Sequence, residues 1–328
     1  IRSHYLTQAE TPGPVFSKLV PKQSQTSKIL YTMYFALTAL EAVCLKIAGM
    51  PLYDALIHSF STAGTGGFSN RNASVGAYDS VPIDIIITVF MLLFSINFAI
   101  YFLLLTRKWR EALQSDELRF FLSVVLGATA ILTLANLGVY SSVWESLRYT
   151  VFQVASIIST TGFGTADFVL WPQFSQLIIV LIMFCGASAG STGGGMKCSR
   201  ILLLLRAVRR EIHRITHPRS VEVVKLDGKL VSEATLHSLL VFLGAYVMTI
   251  FGAALIISLD GQSFAVSFSA ALTCVSNVGP GLEAIGPSGN FAAFSGLSKG
   301  VMSLCMIVGR LEIYPILVLF SPSTWHKT

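Results

Sequence analysis

Five stretches of this sequence, residues 29–49, 83–105, 120–139, 235–258 and 299–320, are apolar over nearly their whole length. Each approaches or exceeds the ~20 residues that a helix needs to cross ~30 Å of hydrocarbon. A sixth run, 174–208, is longer but is interrupted near its middle by small polar residues. Only 12% of the 328 residues are charged, against 53% hydrophobic. A soluble domain carries about 25% charge, so a soluble fold would need several long helices apolar on every face. The expected class is therefore an all-α integral membrane protein.

Basic residues set the expected orientation. Arg2, Lys18, Lys22 and Lys28 precede the first run, and Arg107, Lys108, Arg110 and Arg119 fill residues 106–119. Arg200, Arg206, Arg209, Arg210, Arg214, Arg219, Lys225 and Lys229 crowd the end of the broken run, and Lys327 closes the chain. The connections 50–82, 140–173 and 260–298 hold only Arg71 and Arg148, with Lys299 at the edge of the third. By the positive-inside rule the basic connections are cytoplasmic and the sparse ones face outward. A basic cluster beside a membrane span reads as topology and contact with lipid headgroups rather than as a nucleic-acid surface.

Each outward connection repeats one pattern, a short amphiphilic helix followed by a small polar segment and a glycine. The three read PLYDALIHSFSTAGTGGFSN (51–70), VWESLRYTVFQVASIISTTGFGTADF (143–168) and SFAVSFSAALTCVSNVGPGLEAIGP (263–287). Helices of that length are too short to span and suit re-entrant segments. Aligning Gly66, Gly162 and Gly279 gives an internal repeat of span, half-span helix with loop, and span. Non-helical backbone at membrane depth survives only where protein buries it or where it lines a wet cavity. Rings of backbone carbonyls can replace the hydration shell of a cation there. Glycine permits the positive φ that turns successive carbonyls toward one axis, and the negative dipole end of the short helix faces the same point. The pattern therefore predicts an ion pathway.

GASAGSTGGGMK (186–197), inside the broken run, contains five glycines, each costing a helix about 1 kcal/mol relative to alanine. It is not a phosphate loop, because Met196 separates the last glycine from Lys197 and Cys198 follows where Ser or Thr is needed. Arg310 falls within the last apolar run, where an unpaired charge costs several kcal/mol and normally faces a cavity or a partner. Glu312 is on a different helix face and is a poor partner for it.

The segments HSFSTAGTGGFSN (58–70), FQVASIISTTGFGTADF (152–168), CGASAGSTGGGMK (185–197), SNVGPGLEAIGP (276–287) and VGRLEIYPILVLFSP (308–322) resemble the TrkH branch of the TrkH/KtrB/HKT potassium transporters. The resemblance runs from about Glu10 to the C-terminus with the motifs in the family's order. It implies repeated span–pore helix–span units arranged pseudo-symmetrically around one pore, each giving one strand of a potassium filter. On this chain it implies filter residues Gly64, Thr65 and Gly66, Thr160, Thr161 and Gly162, and Asn277, Val278 and Gly279. The broken span would supply an intramembrane gate, with Gly193, Gly194, Gly195 and Lys197 in the loop and Arg310 beneath the filter. The implied division is a cytoplasmic linker over 1–28, pore units over 29–107, 118–210 and 234–322, and a cytoplasmic connection over 211–233. These units resemble the family's second, third and fourth. ETPGP (10–14) resembles the linker after the first, and the sequence does not begin with Met, so a piece of a longer chain is expected.

The resemblance further implies a multi-pass protein of the bacterial inner membrane, homodimeric, docked through its basic connection to a cytosolic nucleotide-binding regulator like TrkA. Potassium is then the transported ion and no cofactor is needed. A proton- or sodium-coupled symporter is the alternative to a channel-like transporter, although no Asp, Glu or His lies in the filter strands. An enzyme is not expected, since no Ser/His/Asp, Cys/His or metal-ligand constellation occurs. The five cysteines, Cys44, Cys185, Cys198, Cys274 and Cys305, show neither CxxC pairing nor neighbouring histidines and read as small core residues. Among polar residues within or beside the spans, Asn97 is expected to hydrogen-bond across helices. Glu41 and Lys46 are poorly spaced for an ion pair, and Asp167 either caps a turn or gathers cations at the outer mouth.

Overall fold

The computed structural model describes residues 23–218, 220, 222–311, 313 and 316. The ETPGP linker, Arg2, Lys18, Lys22, Arg219, Glu312, Lys327 and most of the chain after Leu311 lie outside the described residues.

The first unit begins with α1 (Gln23–Ile47), so helix already occupies the last residues of the expected linker. Pro51 then starts the short helix α2 (Leu52–Ala63), and α3 (Val81–Ser95) follows the outer loop. The expected continuous span 83–105 is instead broken, because α3 and α4 (Phe98–Leu105) meet at 93°. Polar groups cause the break. Asn97 caps α4 by accepting from Ala99 N at 2.9 Å, and Ser95 O and Phe98 N bond to Ser188 and Gly190 of the 186–197 loop. Asn97 thus serves mainly as a cap, with its side chain also directed to Glu117.

A short helix α5 (Trp109–Leu113) leads to α6 (Asp116–Ala135), the short helix α7 (Val143–Ile158) and α8 (Gln173–Cys185). Ser142 caps α7 through its hydroxyl. After the glycine loop comes α9 (Cys198–Thr216), then a small hairpin of β1 (Lys225–Leu226) and β2 (Lys229–Leu230). The third unit is α10 (Glu233–Ile257), the short helix α11 (Phe264–Ser276) and α12 (Gly296–Arg310). By length and composition, Ser27–Ile47, Asp116–Ala135 and Glu233–Asp260 can each cross a membrane. Arg310 is the last residue of α12 rather than the middle of a longer described helix.

Packing repeats between units. Each short helix rests on the spans of its own unit, and α7 and α11 also rest on the exit span of the unit before, α3 and α8 respectively. Each short helix is therefore walled by apolar surface: Ile87, Met91, Phe152 and Ala155 join in one buried cluster, and Ile179, Met183, Leu272 and Val275 in another. One ion pair reinforces the first joint. Arg148 on α7 donates to the buried Asp84 of α3 at 2.8 Å and reaches Asp79 at 3.4 Å. Removing the cation strands a carboxylate that is 4% exposed. Arg148→Ala should therefore cost about 3 kcal/mol, and replacing both partners by apolar residues of similar size should recover most of it. Thermal unfolding in detergent of the two single variants and the double variant checks this.

Candidate functional site

The three short helices end at one place and turn into strands of the same geometry. Thr65, Thr160 and Asn277 all adopt left-handed backbone, with φ of 51°, 59° and 57°. Their amides donate to Thr62 O, Ile157 O and Cys274 O, and the next amides, of Gly66, Thr161 and Val278, donate to Ser61 O, Ser156 O and Thr273 O. The following glycines, Gly67, Gly162 and Gly279, have φ of 65°, 85° and 110°. Non-glycine residues held in this region cluster at functional sites, where surrounding structure overcomes the strain.

This geometry moves the register of the first repeat by one residue. Gly67, not Gly66, occupies the place of Gly162 and Gly279. Gly66 stands where Thr161 and Val278 stand, and Gly64 is the C-terminal cap of α2. The three strands brought together are Thr65–Gly67, Thr160–Gly162 and Asn277–Gly279.

Their glycines also fix the lateral packing. A Cβ on Gly67 would lie 2.1 Å from Thr161 O, and one on Gly162 would lie 2.2 Å from Val278 O. Each of these strands thus lays its glycine against the carbonyl of the next. A Cβ on Gly279 would meet nothing within 4 Å, so that side of the ring has no partner strand among the described residues.

One set of residues that the sequence reading did not single out holds these strands. Six positions before each glycine stands a buried hydroxyl, Ser61, Ser156 or Thr273. Ser61 Oγ accepts from Phe68 N at 2.5 Å, and Ser156 Oγ donates to Phe163 O at 2.6 Å. Thr273 Oγ1 accepts from Gly279 N at 2.9 Å and donates to Pro280 O at 3.0 Å. The recurring Ser/Thr–x5–Gly spacing is the signal that reveals them.

Above the first strand, Asp54 in the first turn of α2 gathers the outer loop. It accepts from Tyr78 Oη and Asn70 Nδ2, both at 2.6 Å, and from Arg71 at 2.9 Å. His58 bonds Asp54 O and Ser69 and stacks on Phe163 of the second repeat, so it acts as a strut. Asp167 caps its turn by accepting from Val169 N at 3.0 Å.

Beneath the strands lies the glycine loop, and it touches all three. Thr192 O receives hydrogen bonds from Thr65 Oγ1 at 3.0 Å and from Arg310 Nη1 at 2.9 Å. Gly194 N donates to Thr160 Oγ1 at 2.6 Å. A Cβ on Gly193 would lie 2.9 Å from Ser159 O, and one on Gly194 would lie 2.5 Å from Ser276 O. Glycine is therefore required for the loop to come this close. Lys197, with φ of 75°, donates its ammonium to Gly193 O. The buried Glu117 accepts from Ala189 N at 2.6 Å and Ser199 N at 3.2 Å, clamping both arms. The Asn277 amide, oriented so that its nitrogen faces Met306 O (3.2 Å) and its oxygen the Arg310 N–H (3.1 Å), ties the third strand to α12. Asn277 accordingly presents its backbone, not its side chain, to the ring.

Glu41 is fully buried with no hydrogen-bond partner for either oxygen, and Lys46 is exposed, so the two form no pair. Thr62 beside Glu41 spends its hydroxyl on His58 O. No group of three or more metal-ligating side chains occurs among the described residues.

Comparison with known proteins shows the family. The model of the TrkH family, described as cation transport protein, matches residues 2–327. The chain belongs to the TrkH family. It is 37% identical over 326 residues to the Trk system potassium uptake protein TrkH of Salmonella typhimurium, covering 98% of this chain and 67% of the relative. To the Trk system potassium uptake protein TrkG of Escherichia coli it is 34% identical over the same shares. The crystal structure of the potassium transporter TrkH from Vibrio parahaemolyticus matches with a TM-score of 0.87 at 33% identity, over 95% of this chain and 67% of that one. The chain is thus a multi-pass membrane transporter, not an enzyme, and spans about two thirds of the length of these TrkH relatives.

Two outcomes follow from the geometry. Gly162→Ala forces a methyl group onto Val278 O, and in the full-length protein it should lower rubidium uptake by about tenfold or more. The hydrogen bonds from Tyr78, then Asn70, then Arg71 lower the Asp54 pKa to about 2. A depressed carboxylate contributes stability above its ordinary value of about 4 and loses it as pH falls toward 2. Hydrogen exchange in residues 64–78 should therefore accelerate between those limits, and Asp54→Asn should abolish that acid dependence.

Proposed function

We propose that this protein carries potassium across the membrane through the axis enclosed by Thr65–Gly67, Thr160–Gly162 and Asn277–Gly279. The backbone carbonyls of these strands replace the ion's hydration shell, while the Thr65 and Thr160 hydroxyls line the inner end. A ring that encloses the ion needs ligands on the Gly279 side as well, supplied by a fourth strand. The loop 186–197, through Gly193, Gly194, Gly195 and Lys197, together with Arg310, forms the closed gate. The observation that carries this reading is the convergence of Thr65 and Arg310 on Thr192 O, with Thr160 bound to Gly194 N. A loop bonded to the inner end of two strands has to give up those bonds before a hydrated ion can pass, and the Arg310 charge raises the barrier to any cation.

A cytosolic nucleotide-binding regulator like TrkA moves this gate in the proposed scheme. Part of the basic connection is already engaged within the chain, since Arg206 pairs with Asp116 and Arg210 with Glu233. The regulator's contact is left to the exposed Arg209, Lys225 and Lys229. Leu205, Val208, Ile212 and Ile215 form an exposed stripe on α9 that suits lipid contact or a homodimer.

Proton- or sodium-coupled symport is a second reading, and Glu41 favours it: a buried carboxylate without a hydrogen-bond partner stands beside Thr62, near the end of α2. Reversal potentials of the full-length protein under opposed potassium and proton or sodium gradients separate the two. A channel-like pathway follows the potassium gradient alone.

Arg310→Ala in the full-length protein should raise rubidium flux into liposomes several-fold. Unchanged or lower flux in correctly folded protein contradicts the gate.

A further inference from the structure

The two ends of the glycine loop are held by a pair of cysteines. Cys185 is the last residue of α8 and Cys198 the first of α9, and their Sγ atoms stand 3.5 Å apart, in van der Waals contact. Both are reduced. By sequence alone they are small core residues, and thirteen residues of separation hide how close the fold brings them.

The backbone around them is a narrow neck. Cys198 N donates to Ala187 O at 3.0 Å, and Cys198 Sγ donates to Gly186 O at 3.3 Å. Gly186 and Gly195 cross with positive φ, and a Cβ on either would lie under 3 Å from the Cα of the other. Every one of these ties is non-covalent and can open. The loop's contacts with Thr65, Thr160 and Arg310 all lie between the two sulfurs in sequence.

We propose that Cys185 and Cys198 are an oxidisable dithiol, and that its disulfide locks the loop beneath the strands and shuts potassium flux. The effect on flux rests on the gate reading above; the existence of the site does not. The oxidant is a small peroxide. Cys185, 6% exposed, is attacked first, whereas Cys198 is fully buried. The Cys185 sulfur takes one peroxide oxygen as the O–O bond breaks, giving a sulfenic acid and one water. Cys198 then attacks that sulfur, the S–S bond forms, and the hydroxyl leaves as a second water with the Cys198 proton. Two thiols are oxidised by two electrons and one peroxide is reduced to two waters. A dithiol reductant reverses the change by exchange. Closing S–S to the usual ~2.05 Å asks each sulfur to move by under 1 Å, within side-chain rotation. The covalent tie then removes the freedom of the two arms to separate, which the loop needs in order to leave the strands.

The test uses the full-length protein in liposomes, treated with hydrogen peroxide and then with dithiothreitol. Peptide mapping without reduction should find a Cys185–Cys198 disulfide, and rubidium flux should fall by about tenfold or more and return on reduction. In Cys185→Ala and in Cys198→Ala the ratio of oxidised to reduced flux should be close to one. Absence of the disulfide under conditions that oxidise Cys44 overturns the site itself. A disulfide with unchanged flux overturns the lock. If Arg310→Ala raises flux in the same preparation, the gate reading survives that second failure; if Arg310→Ala also changes nothing, both fall.

Discussion

Backbone that is neither helix nor sheet has to be satisfied inside a membrane, and the rest of this structure depends on how that is done. Each strand after a short helix is irregular backbone, so its polar groups must be held by neighbouring side chains. The hydroxyls of Ser61, Ser156 and Thr273 hold them. Each sits on the last turns of a short helix whose own position is fixed by apolar packing against two spans. Left-handed turns at Thr65, Thr160 and Asn277 then start each strand. Packing positions the helix, the helix positions a hydroxyl, and the hydroxyl positions the strand.

The glycine loop solves the same problem below the strands. It has no helix of its own, so its polar groups are distributed over every neighbour. Phe94 O and Ser95 O at the break of the first exit span accept from it, Glu117 accepts from both arms, and Thr160 accepts from Gly194. The bend at 95–98 is thus the counterpart of the loop, since the carbonyls freed by one irregularity receive the amides freed by the other. Glycine at 193, 194 and 309 lets these backbones approach within distances that any side chain would block.

Much of this was legible in the sequence. The apolar run lengths gave the membrane class, the short amphiphilic helices gave the re-entrant pattern, and the glycine-rich interruption marked one of the irregular spans. Other features were not legible, for identifiable reasons. TAGTGGF offers Gly64, Gly66 and Gly67, and composition cannot choose among three glycines; only the amide bonds to Thr62 O and Ser61 O fix the register on Gly67. The 83–105 run is apolar enough to be one helix, and its break depends on Asn97 together with a loop some ninety residues later. Asn97 bonds between helices as expected, through Glu117, but its second task as the cap of α4 at the bend carries no separate signal in the sequence. Arg310 was readable as a charge in need of a partner within an apolar run, while that partner, a backbone carbonyl of Thr192, carries no sequence signal at all.

The central claim is that an ion sits among the backbone carbonyls of these three strands. Crystals or frozen grids of the full-length protein equilibrated with thallium or rubidium test it most directly. The account predicts ion density on the axis bounded by Thr65–Gly67, Thr160–Gly162 and Asn277–Gly279, above the Arg310 guanidinium. Density elsewhere in the protein with none on that axis would contradict it.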